Sequence, residues 1–246
     1  MASNKEEANK IVGDYKYGFK TEAEPILTSG KGLNREVVEF ISNAKHEPSW
    51  MKEFRLKYWN EYLYYEKEFI SITDYIHLDK SNLNTYSFKL LEMLIGICSA
   101  IDRMFRKFTG LAGQNCSIKH YKDSIINIEN SFYNLEVRLI NNDDIILKPF
   151  FEWEPSINTD APKFWTAYNN IKHDRNGGII NATYENVLNA LSALYILNIK
   201  YMDKIYNNNK TIDSLPDENI YNLFYIQEIK EQFSKYMIEE VMKDSF

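Results

Sequence analysis

The sequence predicts an all-α fold, a bundle of helices, and three observations support this prediction. The chain of 246 residues has only 9 glycines and 6 prolines. No proline lies between Pro48 and Pro149, and apolar residues recur there every three or four positions, as on one side of a helix. Sandwiches and barrels need many more turn-forming residues than this chain has. Its hydrophobic content of 44% is sufficient for a packed core.

Composition also restricts the classes of function. The net charge of −6 argues against broad, nonspecific binding of nucleic acid, but leaves room for a local basic site. The two cysteines, Cys98 and Cys116, are too few for a disulfide scaffold or a four-cysteine metal site. The charged start MASNKEEANK lacks the apolar region of a signal peptide, and no apolar run is long enough to span a membrane. We therefore expect a cytoplasmic protein without a membrane partner.

The N-terminal third predicts an arm followed by a long helix. Residues 1–32 are expected to be extended, and Asn34 can cap a short helix that ends near His46, because Pro48 disfavours helical geometry before it. The next helix should run from Ser49 to Ile72. Its aromatic residues repeat every three or four positions and are expected to pack in the core. They are Trp50, Phe54, Tyr58, Tyr62, Tyr65 and Phe69.

The middle of the chain predicts the most apolar helix. It should run from Thr85 to Phe108 and end at Gly110, since glycine is the usual residue after a helix. Its expected buried side comprises Phe88, Leu91, Ile95, Cys98, Ile101 and Phe105. A shorter helix is expected from Ser117 to Phe132, followed by an extended, proline-containing stretch with at most a minor strand at Ile145–Leu147.

Three further helices are expected in the remainder. The first carries KFWTAYNNIKHDR, with Asp160 able to cap it and Pro162 in its first turn, and stops before Gly177. The second begins at a cap, either Asn181 or Thr183, and ends near Tyr206. The third is amphipathic and covers Asp217 to Lys243.

One segment carries residues suited to chemistry. Trp165, Asn169 and His173 are spaced i, i+4, i+8, so they are expected on one helical face. Lys172 and Arg175 add positive charge beside His173. An imidazole with an unperturbed pKa of about 6.5, set between an amide and cations, can bind a phosphate or move a proton. Alternatively, Asn169 and His173 only satisfy buried polar groups where helices meet.

Other types of site find little support. The remaining histidines lie in separate segments without ligand spacing, so we expect no metal and no cofactor. The chain has no GxSxG, HExxH or GxGxxG motif and no phosphate-binding loop.

The stretch from Asp14 to Lys57 resembles the opening of SufB, the scaffold of iron–sulfur cluster assembly. The resemblance is carried by DYKYGFKTEAE, KGLN, EPSWM and EFRLK, and it stops at Tyr58. In that family, cluster assembly rests on a β-helix and a C-terminal region, for which this sequence has no counterpart. The resemblance therefore transfers no functional residue. It implies an arm, residues 1–57, that can contact the Suf machinery through residues 14–57.

Residues 58–246 resemble the HEPN superfamily of small helical domains. Many members carry Arg-Asn, three further residues and then His; here Asn169 and His173 stand at the Asn and His, and Tyr168 replaces the arginine. The resemblance implies a homodimer and, in catalytic members, RNA cleavage without metal. It also implies an acidic partner on an earlier helix, here Glu92 or Asp102.

Three functions follow as hypotheses. The first is a binding and dimerisation module that contacts RNA or a partner protein, in a defence or mobile-element setting, with Trp165, Tyr168, Lys172 and Arg175 in the binding surface. The second is a metal-independent endoribonuclease that uses His173 and Asn169. The third is an accessory of iron–sulfur cluster assembly. The absence of a linker at Lys57–Tyr58 also fits a gene fusion without a selected joint function.

Overall fold

A computed structural model describes residues 49–111, 115–140, 142–174, 177–209 and 223–225. The chain divides into two units, Met1–Glu53 and Phe54–Phe246. The expectations for residues 1–48, including the extended lead-in and the helix after Asn34, lie outside the described residues. The division into an arm of residues 1–57 and a domain of residues 58–246 stays a prediction.

The described part of the chain is mostly helical, which confirms the predicted fold class. In chain order the helices are α1 (Ser49–Phe54), α2 (Asn60–Thr73), α3 (Phe88–Thr109), α4 (Ile118–Ile128), α5 (Lys163–His173) and α6 (Tyr184–Asn209). Among the described residues, no helix is long and apolar enough to cross a membrane.

A π-helical turn, Arg55–Trp59, precedes α2. The amide of Asn60 donates to the carbonyl of Arg55, five residues earlier. This wider turn changes the predicted aromatic stripe, because residues five apart now share a side. Trp59 is buried and its ring lies 6.4 Å from that of Phe54, whereas Tyr58 is only half-buried. Trp59 is therefore a core residue that helical periodicity alone did not predict.

Helices α3 and α6 pack along each other and form the centre of the second unit. The glycine stop of α3 is confirmed, since Gly110 has a φ of 78°, in the left-handed region. Cys98 is fully buried, as expected, and burial raises the pKa of its thiol. The expected buried side of α3 is wrong at Phe88, which is 73% exposed. Ser87 caps the helix there, and Phe88 occupies the first helical position on the solvent side.

Helix α6 is enclosed by its neighbours. Every residue from Leu191 to Ile199 is buried. Helices α2, α3 and α5 all contact it. Of the two caps expected for this helix, Thr183 is confirmed, because the hydroxyl of Thr183 accepts a hydrogen bond of 3.2 Å from the amide of Asn186.

A small antiparallel sheet lies beside the helices, in the order β2 (Asn142–Leu147), β1 (Val137–Leu139) and β3 (Phe224–Tyr225). The strand expected at Ile145–Leu147 is confirmed as the end of β2. The other two strands were not predicted. Because Phe224 and Tyr225 pair with β1, the helix expected over Asp217–Lys243 is wrong at these two residues. The rest of that helix lies outside the described residues.

Two further boundaries differ from expectation. Helix α4 ends at Ile128, and Phe132 begins a separate 3₁₀ turn with its ring fully buried. Asp160 does not cap α5, because Pro162 occupies that position and makes no side-chain cap. The carboxylate of Asp160 instead lies 3.6 Å from the ammonium of Lys122.

A buried carboxylate connects α2 to the segment that leads into β3. The Tyr62 hydroxyl donates to Glu66 Oε1 at 2.7 Å, and the Leu223 amide donates to the same oxygen at 3.0 Å. Glu66 is only 1% exposed. A buried acceptor that serves two donors is costly to remove, because both donors then lose their partner in a place that water does not reach.

We therefore expect Glu66→Leu to lower the free energy of unfolding by about 3 kcal/mol, given roughly 1–3 kcal/mol for each donor left without its acceptor. Urea unfolding followed by circular dichroism measures the loss. Glu66→Gln, which keeps one acceptor oxygen, should lose less. The exposed Glu92→Leu is the matched control and should change stability by no more than about 0.5 kcal/mol. Equal losses for Glu66→Leu and Glu92→Leu would contradict the role of Glu66.

Candidate functional site

The predicted site lies on α5, and the core fixes that helix on one side. Phe164, Trp165, Ala167 and Ile171 are buried. The Trp165 ring packs 5.9 Å from Phe105 of α3 and 5.4 Å from Tyr168. Trp165 is thus a core residue with 8% exposure rather than a contact surface. The face predicted from Trp165, Asn169 and His173 runs from the core to solvent, with Asn169 half-buried and His173 exposed.

The solvent side of α5 is formed by different residues. Lys163, Thr166, Asn170 and His173 are all exposed and follow one another at spacings of three or four. The predicted face, defined by the spacing of Trp165, Asn169 and His173, shares only His173 with this set. The apolar side of the helix, at Phe164, Ala167 and Ile171, would have indicated the opposite face.

The C-terminal end of α5 carries two exposed basic side chains, Lys172 and His173. The Lys172 ammonium lies 5.8 Å from the centre of the Tyr168 ring, a cation–π contact that directs the long side chain along the helix. Cations at a helix C-terminus are favoured by the helix dipole. Arg175, the other expected positive charge, lies outside the described residues.

The turn after α5 is built by Asp174 and Gly178. The Asp174 carboxylate accepts from the amide of Gly177 at 3.0 Å, and the Asp174 carbonyl accepts from the amide of Gly178 at 2.7 Å. Gly178 lies directly against α5: a Cβ placed on it would stand 2.9 Å from Ile171 Cα and 3.0 Å from the Asn170 carbonyl oxygen. The backbone therefore needs glycine at residue 178 to fold back onto the helix end.

Neither candidate for the expected acidic partner, Asp102 or Glu92, contacts His173 in the described part of the chain. Asp102 accepts from the Tyr121 hydroxyl at 3.0 Å through one oxygen and from Arg106 Nε at 2.9 Å through the other. Burial raises the pKa of Tyr121, and its hydrogen bond to Asp102 adds to this rise. Glu92 is exposed on α3. Within the described part of the chain, no hydrogen bond or ion pair joins either carboxylate to His173.

A groove with a volume of about 440 Å³ lies next to the exposed side of α5. Its polar lining comprises four asparagines, three threonines, Lys163, Glu152 and Glu185. The asparagines are Asn84, Asn170, Asn181 and Asn186. Sequence reasoning missed this groove, although the stretch Asn181-Ala182-Thr183-Tyr184-Glu185-Asn186 is dense in small polar residues. The described residues contain no group of three or more histidines, cysteines or carboxylates that could hold a metal ion.

Comparison with known proteins identifies a short SufB-like segment. The chain is 54% identical over 46 residues to an iron–sulfur cluster assembly SufBD family protein of Staphylococcus aureus strain USA300. It is 52% identical over 46 residues to the iron–sulfur cluster assembly protein SufB of Bacillus subtilis strain 168. Each match covers 19% of this chain and 10% of the relative, so the chain spans about a tenth of the length of these curated relatives.

Two further comparisons found no match. No family model matches the chain. No solved structure matches it. The resemblance to SufB is therefore confirmed for a short segment, and the resemblance of residues 58–246 to HEPN domains finds no support in these comparisons.

We expect Gly178→Ala to destabilise the protein by about 1–3 kcal/mol, because the added methyl group meets the backbone of α5, which cannot move aside freely. Gly177→Ala is the matched control, since its methyl group would meet only the flexible Asp174 side chain and should cost less. Thermal unfolding of both variants measures the difference. A loss for Gly177→Ala as large as that for Gly178→Ala would contradict the close packing of Gly178 on α5.

Proposed function

We propose that the helical unit is a binding module that contacts RNA through the C-terminal end of α5. The observation that carries this proposal is the pair of exposed basic side chains, Lys172 and His173, held at the end of a helix whose other side is buried in the core. Phosphates of RNA are recognised by basic groups of this kind, and a rigid support lowers the entropy lost on binding.

The charge of the chain restricts how RNA can bind. With a net charge of −6, the protein as a whole repels a polyanion, so binding must depend on a local site. Lys172 and His173 form such a site, and Arg175 follows two residues later in the sequence. The resemblance to HEPN domains adds the proposal that two protomers form a dimer, with the ends of their α5 helices facing each other.

A metal-independent endoribonuclease is the second candidate. An exposed His173 can act as general acid or base, with Asn169 one turn earlier and Lys172 beside it to stabilise charge on the phosphate. Two observations favour binding over cleavage. Tyr168 stands where the HEPN pattern has arginine, and Asp102 is occupied by Tyr121 and Arg106 rather than by His173.

We expect the purified protein to bind a mixed pool of RNA in EDTA without cleaving it. Lys172→Ala should weaken binding and lower the slope of log K against log salt by about one, as expected for the loss of one phosphate contact. Lys67→Ala, which removes an exposed lysine of α2, is the matched control and should bind as the parent does.

The same assay includes His173→Ala and separates the two candidates. Cleavage by the parent but not by His173→Ala would establish a ribonuclease and replace the binding module as the function. Absence of RNA binding by the parent protein would reject both candidates.

We also propose that the SufB-like segment, residues 14–57, contacts proteins of iron–sulfur cluster assembly. The match to SufB and to SufBD family proteins supports this proposal. The segment is not simply separable from the helical unit. Phe54, near its end, is 5% exposed and its ring lies 6.2 Å from that of Tyr201 in α6. A deletion that extends to residue 57 therefore removes a core side chain.

We expect Suf proteins to co-purify with the full chain and to be lost when residues 14–48 are replaced by a shuffled sequence of the same composition. The shuffled variant leaves Phe54 and the helical unit in place, and an unchanged unfolding temperature serves as its control. Quantitative mass spectrometry of the purified complexes measures the loss. Equal recovery of Suf proteins with both chains would contradict a role of this segment in the contact.

A further inference from the structure

We infer that the groove beside α5 binds an unpaired base of RNA while the end of α5 holds a neighbouring phosphate. This inference rests on the proposed RNA binding and adds the part of the ligand that the groove recognises. The groove lies between the exposed side of α5, the start of α6 and the segment around Asn84. Its volume of about 440 Å³ falls in the range of small-molecule sites, which fits a single base with its ribose rather than a duplex.

The lining offers neutral hydrogen-bonding groups in fixed positions. Asn181 Nδ2 donates to the Gly178 carbonyl at 3.1 Å, and Asn186 Nδ2 donates to the Asn181 carbonyl at 2.9 Å. These bonds fix the two amides, and each keeps its Oδ1 as an acceptor. Asn170 is exposed and retains both an acceptor and a donor for a ligand. Amide side chains match the donor and acceptor pattern on the edges of bases, which unpaired RNA exposes.

An exposed aromatic residue, Tyr86, is paired with a residue that lines this groove. Tyr86 pairs with Thr183 in an antiparallel bridge, and Thr183 lines the groove. Residues directly opposite each other in such a bridge place their side chains on the same side. The Tyr86 ring is 51% exposed, and the backbone around it is held by the bond from the Tyr184 amide to the Thr85 carbonyl, 2.8 Å. An exposed ring on a fixed backbone can stack on an unpaired base.

The charges in the groove indicate which part of a nucleotide it takes. Lys163 Nζ lies 3.9 Å from Glu152 Oε1, and Glu185 adds a second carboxylate. Because the groove contains two carboxylates and only one ammonium group, it disfavours a phosphate and favours a neutral part of the nucleotide. His173 lies on the same exposed side of α5 as Asn170, one turn further, at about 4.5 Å along the helix axis. A base beside Asn170 therefore places its phosphate near His173.

The test measures binding of a fluorescent single-stranded RNA of mixed sequence and of the same RNA as a duplex, using the full chain. We expect the single strand to bind more tightly than the duplex. Tyr86→Ala should weaken binding of the single strand roughly tenfold or more, because it removes a stacking surface. Tyr86→Phe should retain binding. Tyr75→Ala is the matched control, because this tyrosine is 89% exposed and, unlike Tyr86, is not paired with a residue of the groove.

A second variant tests recognition of the base edge. Asn170→Ala should weaken binding of the single strand and change the relative affinities for homopolymers of the four bases. Unfolding temperatures equal to that of the parent show that the exposed positions 86 and 170 act through binding.

Failure of the inference is distinguishable from failure of the proposed function. If the parent binds RNA and Lys172→Ala weakens it, while Tyr86→Ala and Asn170→Ala bind as the parent does, RNA binding stands and the groove is rejected as its base site. Equal affinity for single strand and duplex would also overturn the inference. If the parent binds no RNA, the proposed function and the inference fail together.

Discussion

Enclosure of helix α6 is the constraint on which the rest of the second unit depends. The nine consecutive residues from Leu191 to Ile199 are all buried, so this helix has no solvent side over more than two turns. A helix that is apolar all round must be covered on every side, which takes several elements rather than one. Helices α2, α3 and α5 supply most of this cover, and Phe224 of β3 adds a ring 5.8 Å from Tyr195. Polar groups that become buried when these elements pack on α6, such as the Glu66 carboxylate, need hydrogen-bond partners, and the Leu223 amide donates one hydrogen bond to Glu66.

The same constraint positions the candidate site. Helix α5 has to bury Phe164 and Ile171 against its neighbours, which leaves Thr166, Asn170 and His173 in solvent. The chain then returns to the start of α6 within ten residues, and the close approach of Gly178 to α5 permits this return. The return places Asn181 and Thr183 opposite Asn170, with the groove between them. The groove is thus a consequence of how tightly α5 and α6 are connected.

Hydrophobic periodicity and helix-capping residues predicted much of the helical framework, and each incorrect prediction has a physical reason. The end of α3 at Gly110 and the start of α6 at Thr183 follow from residues that act within one turn of themselves. Strand β3 could not be predicted, because two residues become a strand only through pairing with distant β1. On α5, spacing and local charge pointed to His173 and Lys172, which are both exposed, whereas Trp165, expected on the same face as His173, is buried. The groove was missed since Asn84 and Asn181 meet only in the folded chain.

The π-helical turn at Arg55–Trp59 bears on how the SufB-like segment is joined to the helical unit. Straight continuation of an α-helix from Phe54 would bring Tyr58 and Tyr62 to its side, whereas the wider turn brings Trp59 into the core together with Tyr62. The π-helical turn thus shifts the helical register by one residue near Lys57, where the sequence motifs that resemble SufB end. Phe54, which lies within the stretch that resembles SufB, is buried against Tyr201 of α6, so the end of that stretch supplies a side chain to the core of the second unit.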